Sequence, residues 1–235
     1  MSWVDQLVVR IKRGESPATR LARDAYKRLV AFDLPDHEAL RVLYGSLYRA
    51  HDAWEGLREL ALGKLLYEPM VRARFRHVGK RLSVSALPYI DGHAQVTIGD
   101  DCSFSRFTVV SGRFTDTPEL IFGDHCTVSS NAVFLVNKRV TIGSFVSIAP
   151  FVSISDSDGH PLDPTRRMNH DALRAEEIAP VTIHDHAWIG RDAHVMKGVT
   201  IGRAAIVASG SVVTGDVPPE SLAMGVPARI IKKPW

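Results

Sequence analysis

With 235 residues, 45% of them hydrophobic, and a net charge of only +3, the chain has the material for one large domain or two modest ones and a sizeable core. No apolar run is long enough to span a bilayer, and Met1–Arg13 lacks the continuous apolar core and cleavage site of a signal peptide, so the chain is expected to stay in the cytoplasm. Its charge is uneven: residues 1–90 carry 16 Lys and Arg against 10 Asp and Glu, and the remainder 13 against 16. That asymmetry suits an anionic partner such as a membrane surface, or it marks solvated helix faces.

Residues 1–88 are expected to form a helical N-terminal region. Leu21, Ala25, Leu29 and Phe32 recur at a spacing of about four, one face of a helix. Asp33-Leu-Pro-Asp breaks it, and Asp36 is placed to cap the next helix. Leu40, Leu43, Tyr44 and Leu47 form a second stripe, which Trp54, Leu57, Leu60, Ala61 and Leu65 extend. Arg20, Arg23, Lys27, Arg41, Arg49 and Arg58 fall on the opposite faces. Two readings stay open: a helical cap packed on the following domain or on a neighbouring subunit, or an amphipathic surface lying on a membrane.

From Tyr89 onward the period changes to six. Ile183, Ile189, Val195, Ile201, Val207 and Val213 are evenly spaced, with Ala187, Ala193, Val199, Ala205, Ser211 and Val217 four residues behind each of them. An α-helix would scatter residues spaced by six around its axis and bury no face, whereas short strands with tight corners stack them into one ladder. The same hexads run through Ile98, Phe104 and Val110, then Phe122, Val128 and Phe134, then Ile142, Ile148 and Ile154, giving about five coils at three hexads each. Cys102 and Cys126 fall in the small inward row and are expected to be buried free thiols. Asn137-Lys-Arg adds two residues and shifts the register, and residues 155–180 form a long polar loop with no hexad. Excursions of that length inside a repeat domain are more often functional than accidental. Gly225-Val-Pro-Ala-Arg-Ile-Ile-Lys-Lys then leaves the solenoid as a basic tail of the 89–235 domain.

The loop opens with Ser155-Asp-Ser-Asp-Gly-His-Pro-Leu-Asp. His160, between a glycine and a proline, could accept a proton near neutral pH, with Asp156, Asp158 or Asp163 orienting its ring; a surface histidine beside turn-forming aspartates is the alternative. His184, His186 and His194 fall at three different hexad slots, so no metal centre is expected.

The hexads mark the hexapeptide-repeat proteins. The run Val140-Thr-Ile-Gly-Ser-Phe-Val-Ser-Ile, the Gly-His-Pro, the stretch Val181-Thr-Ile-His-Asp-His-Ala-Trp-Ile-Gly and the ending Gly-Val-Pro-Ala-Arg resemble the maltose and galactoside O-acetyltransferases. The Asp-Ser-Asp-Gly-His-Pro-Leu-Asp-Pro form is closer to acetyltransferases of polysaccharide clusters. The resemblance implies a mainly β fold, a left-handed parallel β-helix, assembled as a homotrimer with active sites between subunits. It implies acetyl-CoA as the acyl donor, a sugar or glycan acceptor, no nucleic acid, and no metal.

It also places catalysis on His160 as general base, acceptor binding on Asn131 and Asp158, and CoA binding on Trp188, Arg191, Ser209, Thr214, Arg229 and Lys232. The loop before His160 is one residue longer than the family pattern, and Gly215 stands where a lysine is common. The turn after Asn131 is shorter than the pattern. The N-terminal helices are longer than the usual segment and suggest peripheral membrane contact. N-acetyl transfer to an amino sugar and a non-catalytic scaffold are the alternatives.

Overall fold

The computed structural model describes residues 3–33, 37–112, 114–115 and 117–231, so Asp36 and Lys232 lie outside the described residues. The chain divides into two compact units, Met1–Trp54 and Glu55–Trp235, with the boundary inside a helix.

The first unit holds α1 (Trp3–Arg13), α2 (Pro17–Val30) and most of α3 (Glu38–Leu62). Helix α2 starts where the sequence supplies a cap. Ser16 Oγ accepts the Thr19 amide (3.2 Å), the Ser16 amide donates back to Thr19 Oγ1 (2.8 Å), and Pro17 presets the first turn. Such a reciprocal cap is worth about 1 kcal/mol.

In the second unit a π-helical turn (Gly63–Tyr67) and α4 (Glu68–Arg74) lead into the solenoid. Its first coil holds β1 (His77–Val78), β2 (Ser83–Val84) and β3 (Tyr89–Asp91); the second, β4 (Gln95–Ile98), β5 (Ser103–Phe104) and β6 (Phe107–Ser111). The third holds β7 (Glu119–Phe122), β8 (Thr127–Val128) and β9 (Ala132–Val136); the fourth, β10 (Arg139–Ile142), β11 (Ser147–Ile148) and β12 (Ser153–Ser155). After the excursion come β13 (Val181–Ile183), β14 (Trp188–Ile189) and β15 (His194–Val195), then β16 (Thr200–Ile201), β17 (Ile206–Val207) and β18 (Val212–Val213). Strand β19 (Leu222–Gly225) begins a seventh turn, and β20 (Ala228–Ile231) folds back on it antiparallel.

Strands β1–β18 stack into three sheets, each taking every third strand in parallel register, and β19 and β20 complete the second sheet. Ile142 pairs with Ile183 and Ile183 with Ile201 in the first sheet; Ile148, Ile189 and Val207 align in the second; Ile154, Val195 and Val213 in the third. All of these aliphatics are buried, so the period of six is a core ladder. Cys102 and Cys126 lie in the same core as free thiols, with Sγ 3.3 Å from the Gly123 carbonyl oxygen and 3.0 Å from that of Gly143. Phe104, Phe107, Phe122 and Phe134 pack with centroids 5.0 to 6.3 Å apart, mostly edge to face.

Two details differ from the hexad reading. Among the described residues there are six full coils and part of a seventh, where the spacing indicates five. The first coil begins at His77, ahead of Tyr89: Val78, Val84 and Ile90 stand six apart and pair with Ile98, Phe104 and Val109 of the second coil, so the period reaches back into the stretch expected to be helical. In the second coil Val109 and not Val110 points inward, pairing with Phe134, because only two residues separate β5 from β6 where three separate β8 from β9.

Close coil stacking makes some glycines obligatory. A Cβ on Gly190 would sit 2.7 Å from both the Ser209 amide nitrogen and the Val207 carbonyl oxygen on the next coil. Both are backbone atoms of a stacked coil and cannot swing aside. Gly190→Ala is expected to cost about 1–3 kcal/mol, read as a lowered urea midpoint with an unchanged m-value.

Candidate active site

The excursion between β12 and β13 is a built structure anchored at its root. Asp156 is fully buried. Its Oδ2 accepts the backbone N–H groups of Asn137 (3.0 Å), Lys138 (2.7 Å) and Arg139 (2.9 Å), and Oδ1 a second bond from Asn137 (2.8 Å). Burial pushes the Asp156 carboxyl above the ordinary carboxylate range, against the pull of these N–H groups. The Asn137 side chain, also buried, donates from Nδ2 to Ser157 Oγ (2.7 Å), and the Ala179 amide closes the excursion onto the Asp156 carbonyl (2.9 Å). The two-residue insertion at Asn137-Lys-Arg and the start of the loop therefore form one polar joint. This is the physical reason for the register shift.

Further out, Asp163 caps α5 (Pro164–Met168) by accepting the Arg166 amide (2.9 Å). Arg166 in turn grips Glu177 with two bonds of 2.8 and 3.1 Å, drawing the ends of the outer loop together. Asp158 Oδ2 pairs with Lys197 Nζ (2.5 Å), on the turn after β15. The three aspartates near His160 are thus occupied by a backbone turn, a lysine and a helix cap, and none of them orients its ring. The expectation of an aspartate behind the imidazole is not met.

His160 is exposed and lines a cavity of about 260 Å³ with Gly112, Asn137, His170, Asp171 and Leu173. Asn137 and Gly112 are the members that the hexad pattern passed over. A Cβ on Gly112 would fall 1.6 Å from Asn137 Oδ1, so only glycine admits that amide to the cavity wall. The signal available in the sequence was the register shift at Asn137 together with the glycine beginning the polar interruption. An imidazole in such a polar cavity can take a proton from a bound hydroxyl, with the Asn137 amide beside it.

The other predicted residues are spread over the solenoid. Asn131, Arg191 and Ser209 share the corner between the second and third sheets. There the amides of Asn131, Phe151, Asp192 and Gly210 bond to Arg106, Ser130, Pro150 and Arg191 of the coil before. Asn131 sits at φ +64° in this column, a conformation asparagine tolerates, so the corner alone accounts for its residue type. The Arg191 guanidinium lies 5.3 Å from the centre of the Phe151 ring. Trp188, on β14 of the adjoining sheet, is 53% exposed between Ser147 and Ile206.

His160 and Thr214 instead lie beyond the opposite end of the third sheet, after β12 and β18. Arg229 is exposed on β20. Within one chain, then, the predicted donor-binding residues at the shared corner and the predicted base occupy opposite edges of the third sheet.

The remaining corner carries His125, Phe145 and His186, all at positive φ, with ring centroids 4.5 and 4.8 Å apart and planes within 11° of parallel. His186 is therefore a corner residue stacked on Phe145. Among the described residues no group of three or more His, Cys, Asp or Glu side chains is arranged to hold a metal ion.

Comparison with known proteins matches residues 180–215 to the family described as bacterial transferase hexapeptide (six repeats). Galactoside O-acetyltransferase of Escherichia coli is 31% identical over 194 residues, 82% of this chain and 87% of that one. The chain spans about half the length of two yeast relatives named as acetyltransferases. It covers 56% of the Saccharomyces cerevisiae protein at 40% identity and 52% of the Schizosaccharomyces pombe protein at 38%. Among solved structures, a hexapeptide-repeat acetyltransferase of Vibrio cholerae superposes with a TM-score of 0.51 at 27% identity, over 79% of this chain and 91% of that one.

Proposed function

Because this chain belongs to the hexapeptide-repeat acetyltransferases, with their left-handed parallel β-helix, we propose that it transfers the acetyl group of acetyl-CoA to a hydroxyl of a sugar or glycan precursor. The observation that carries this reading is His160, held beside Asn137 in the cavity at the root of the excursion.

In this reading the imidazole of His160 takes the proton of the acceptor hydroxyl as its oxygen attacks the thioester carbonyl. A backbone N–H stabilises the oxyanion of the tetrahedral intermediate. The thiolate then leaves and receives the proton that His160 carries. The products are an acetyl ester and free CoA thiol, and no proton or acetyl group is left over.

Asn131 and Asp158 bind the acceptor, Asp158 through the oxygen that Lys197 leaves open. Trp188, Arg191, Ser209, Thr214 and Arg229 line the donor's path, with the basic side chains toward its phosphates; Lys232, outside the described residues, is assigned to the same phosphates from the sequence alone. The separation of the corner residues from His160 by a whole sheet favours a homotrimer, in which the corner of one subunit meets the excursion of the next.

Free thiol release from acetyl-CoA should appear with hydroxyl sugars in a panel of paired hydroxyl and amino sugars, and mass analysis should find an ester. An amide product confined to the amino sugars would turn the reading to N-acetyl transfer. No release and no CoA binding would leave a scaffold.

A further inference from the structure

Helices α1 and α2 contain no buried residue. They are nevertheless strongly two-faced. At 100° per residue, Trp3, Val4, Leu7, Val8 and Ile11 share an arc of about 140° on α1, with Arg10 just past one edge and Lys12 past the other. On α2 an arc of the same width, about 140°, takes Leu21, Ala25, Leu29 and Tyr26, with Arg28 at its edge and Arg20, Arg23 and Lys27 behind. Trp3 is 75% exposed, and Leu21 and Leu29 are 73% exposed. Water-facing apolar area of this extent and continuity marks an interaction surface.

Charge selects the partner. Residues 3–33 carry seven Lys and Arg against four Asp and Glu. Glu15 is shared by Arg10 (3.7 Å) and Arg13 (3.5 Å), while Lys12, Arg20, Lys27 and Arg28 form no ion pair among the described residues. A second copy of these helices would bring like charge to like charge. An anionic bilayer would neutralise it. The long basic side chains at the edges of each arc can lay their stems along the apolar face and hold their charges at the phosphates. Trp3 and Tyr26 are the side-chain types that settle at a membrane–water boundary. Among the described residues no helix is long and apolar enough to cross a membrane, so these helices would lie in its surface plane.

We infer that α1 and α2 dock the protein on an anionic lipid bilayer, apolar arcs down among the upper acyl chains and basic residues among the headgroups. This rests on the helices alone and is independent of the acyl-transfer reading.

The test is flotation of the full chain with vesicles of phosphatidylcholine, alone or mixed with phosphatidylglycerol. Binding is expected only to the mixed vesicles and is expected to weaken as salt screens the headgroups. Leu21→Glu/Leu29→Glu and, separately, Lys27→Glu/Arg28→Glu should each reduce partitioning at least about tenfold without altering the melting temperature. The second variant changes only exposed side chains and guards against misfolding of the first. Equal binding to both kinds of vesicle, or to neither, would overturn the inference. So would dissociation of the oligomer by Leu21→Glu/Leu29→Glu in the absence of lipid, which would give the arcs to a neighbouring subunit.

Discussion

Alanine at position 160 is expected to lower kcat/KM for acyl transfer by about 10²- to 10⁴-fold, the usual worth of a positioned general base. Folding should be untouched. His160 is exposed and makes no hydrogen bond among the described residues, so its removal opens no core and strands no buried partner. Thiol release should fall in step with acceptor modification, while CoA binding, measured by calorimetry, stays within about twofold, less than 0.5 kcal/mol. A variant that turns over like the wild type would move the chemistry out of the Asn137–His160 cavity.

The second large effect is expected at Asp156, whose role is to position rather than to react. Asp156→Ala leaves the amides of Asn137, Lys138 and Arg139 without their acceptor. With about 1–3 kcal/mol for each buried group left unpaired, and water able to reach the outer two, the loss should be about 2–4 kcal/mol. For a chain of this size that is a melting-temperature drop of about 5–15 °C. Asp156→Asn should lose nearly as much, because one half of the amide turns a donor toward a nest of donors.

The pH dependence has a definite sign. Burial raises the folded carboxyl above its value in the unfolded chain. Its contribution is therefore fully present below the ordinary carboxylate range and declines as pH rises through the raised value, so the gap between wild type and Asp156→Ala should widen on acidification. A purely structural loss would reduce stability alone. Because the joint also sets the cavity wall, kcat should fall by about tenfold or more even at a temperature where both proteins are fully folded. A normal kcat in the folded Asp156→Ala protein would confine this carboxylate to stability.

The solenoid was legible because its signal is repeated: Ile183, Ile189, Val195, Ile201, Val207 and Val213 each report the same inward position, and an accident at one is outvoted by the rest. The period reaches back to Val78, Val84 and Ile90, but only three residues report it there, directly behind the apolar stripes of the helices, so the helical pattern masks the start of the solenoid. A single shortened corner also moved the inward residue from Val110 to Val109. His160 was legible as a histidine fixed between glycine and proline at the exit of a rigid strand. Its neighbours were not. The contacts of Asn137 with Ser157 and Asp156 join residues about twenty positions apart through a coil, and that distance has no local pattern. The aspartates illustrate the limit well: Asp156, Asp158 and Asp163 look equivalent in sequence, yet the fold assigns them to a backbone turn, a lysine and a helix cap.

The reversal at β20 has a consequence for assembly. A stack of coils has no internal stopping rule, since each rung offers the next the same unspent row of amides and carbonyls, and molecules of this architecture could add end to end into filaments. In the second sheet, where every earlier pairing is parallel, β20 runs the other way along β19 and places Arg229 on the surface. An incoming first coil would meet a strand of the wrong polarity. The parallel register of the stack therefore ends on that sheet, and an added coil could not repeat there the pairing that joins coil to coil within the chain.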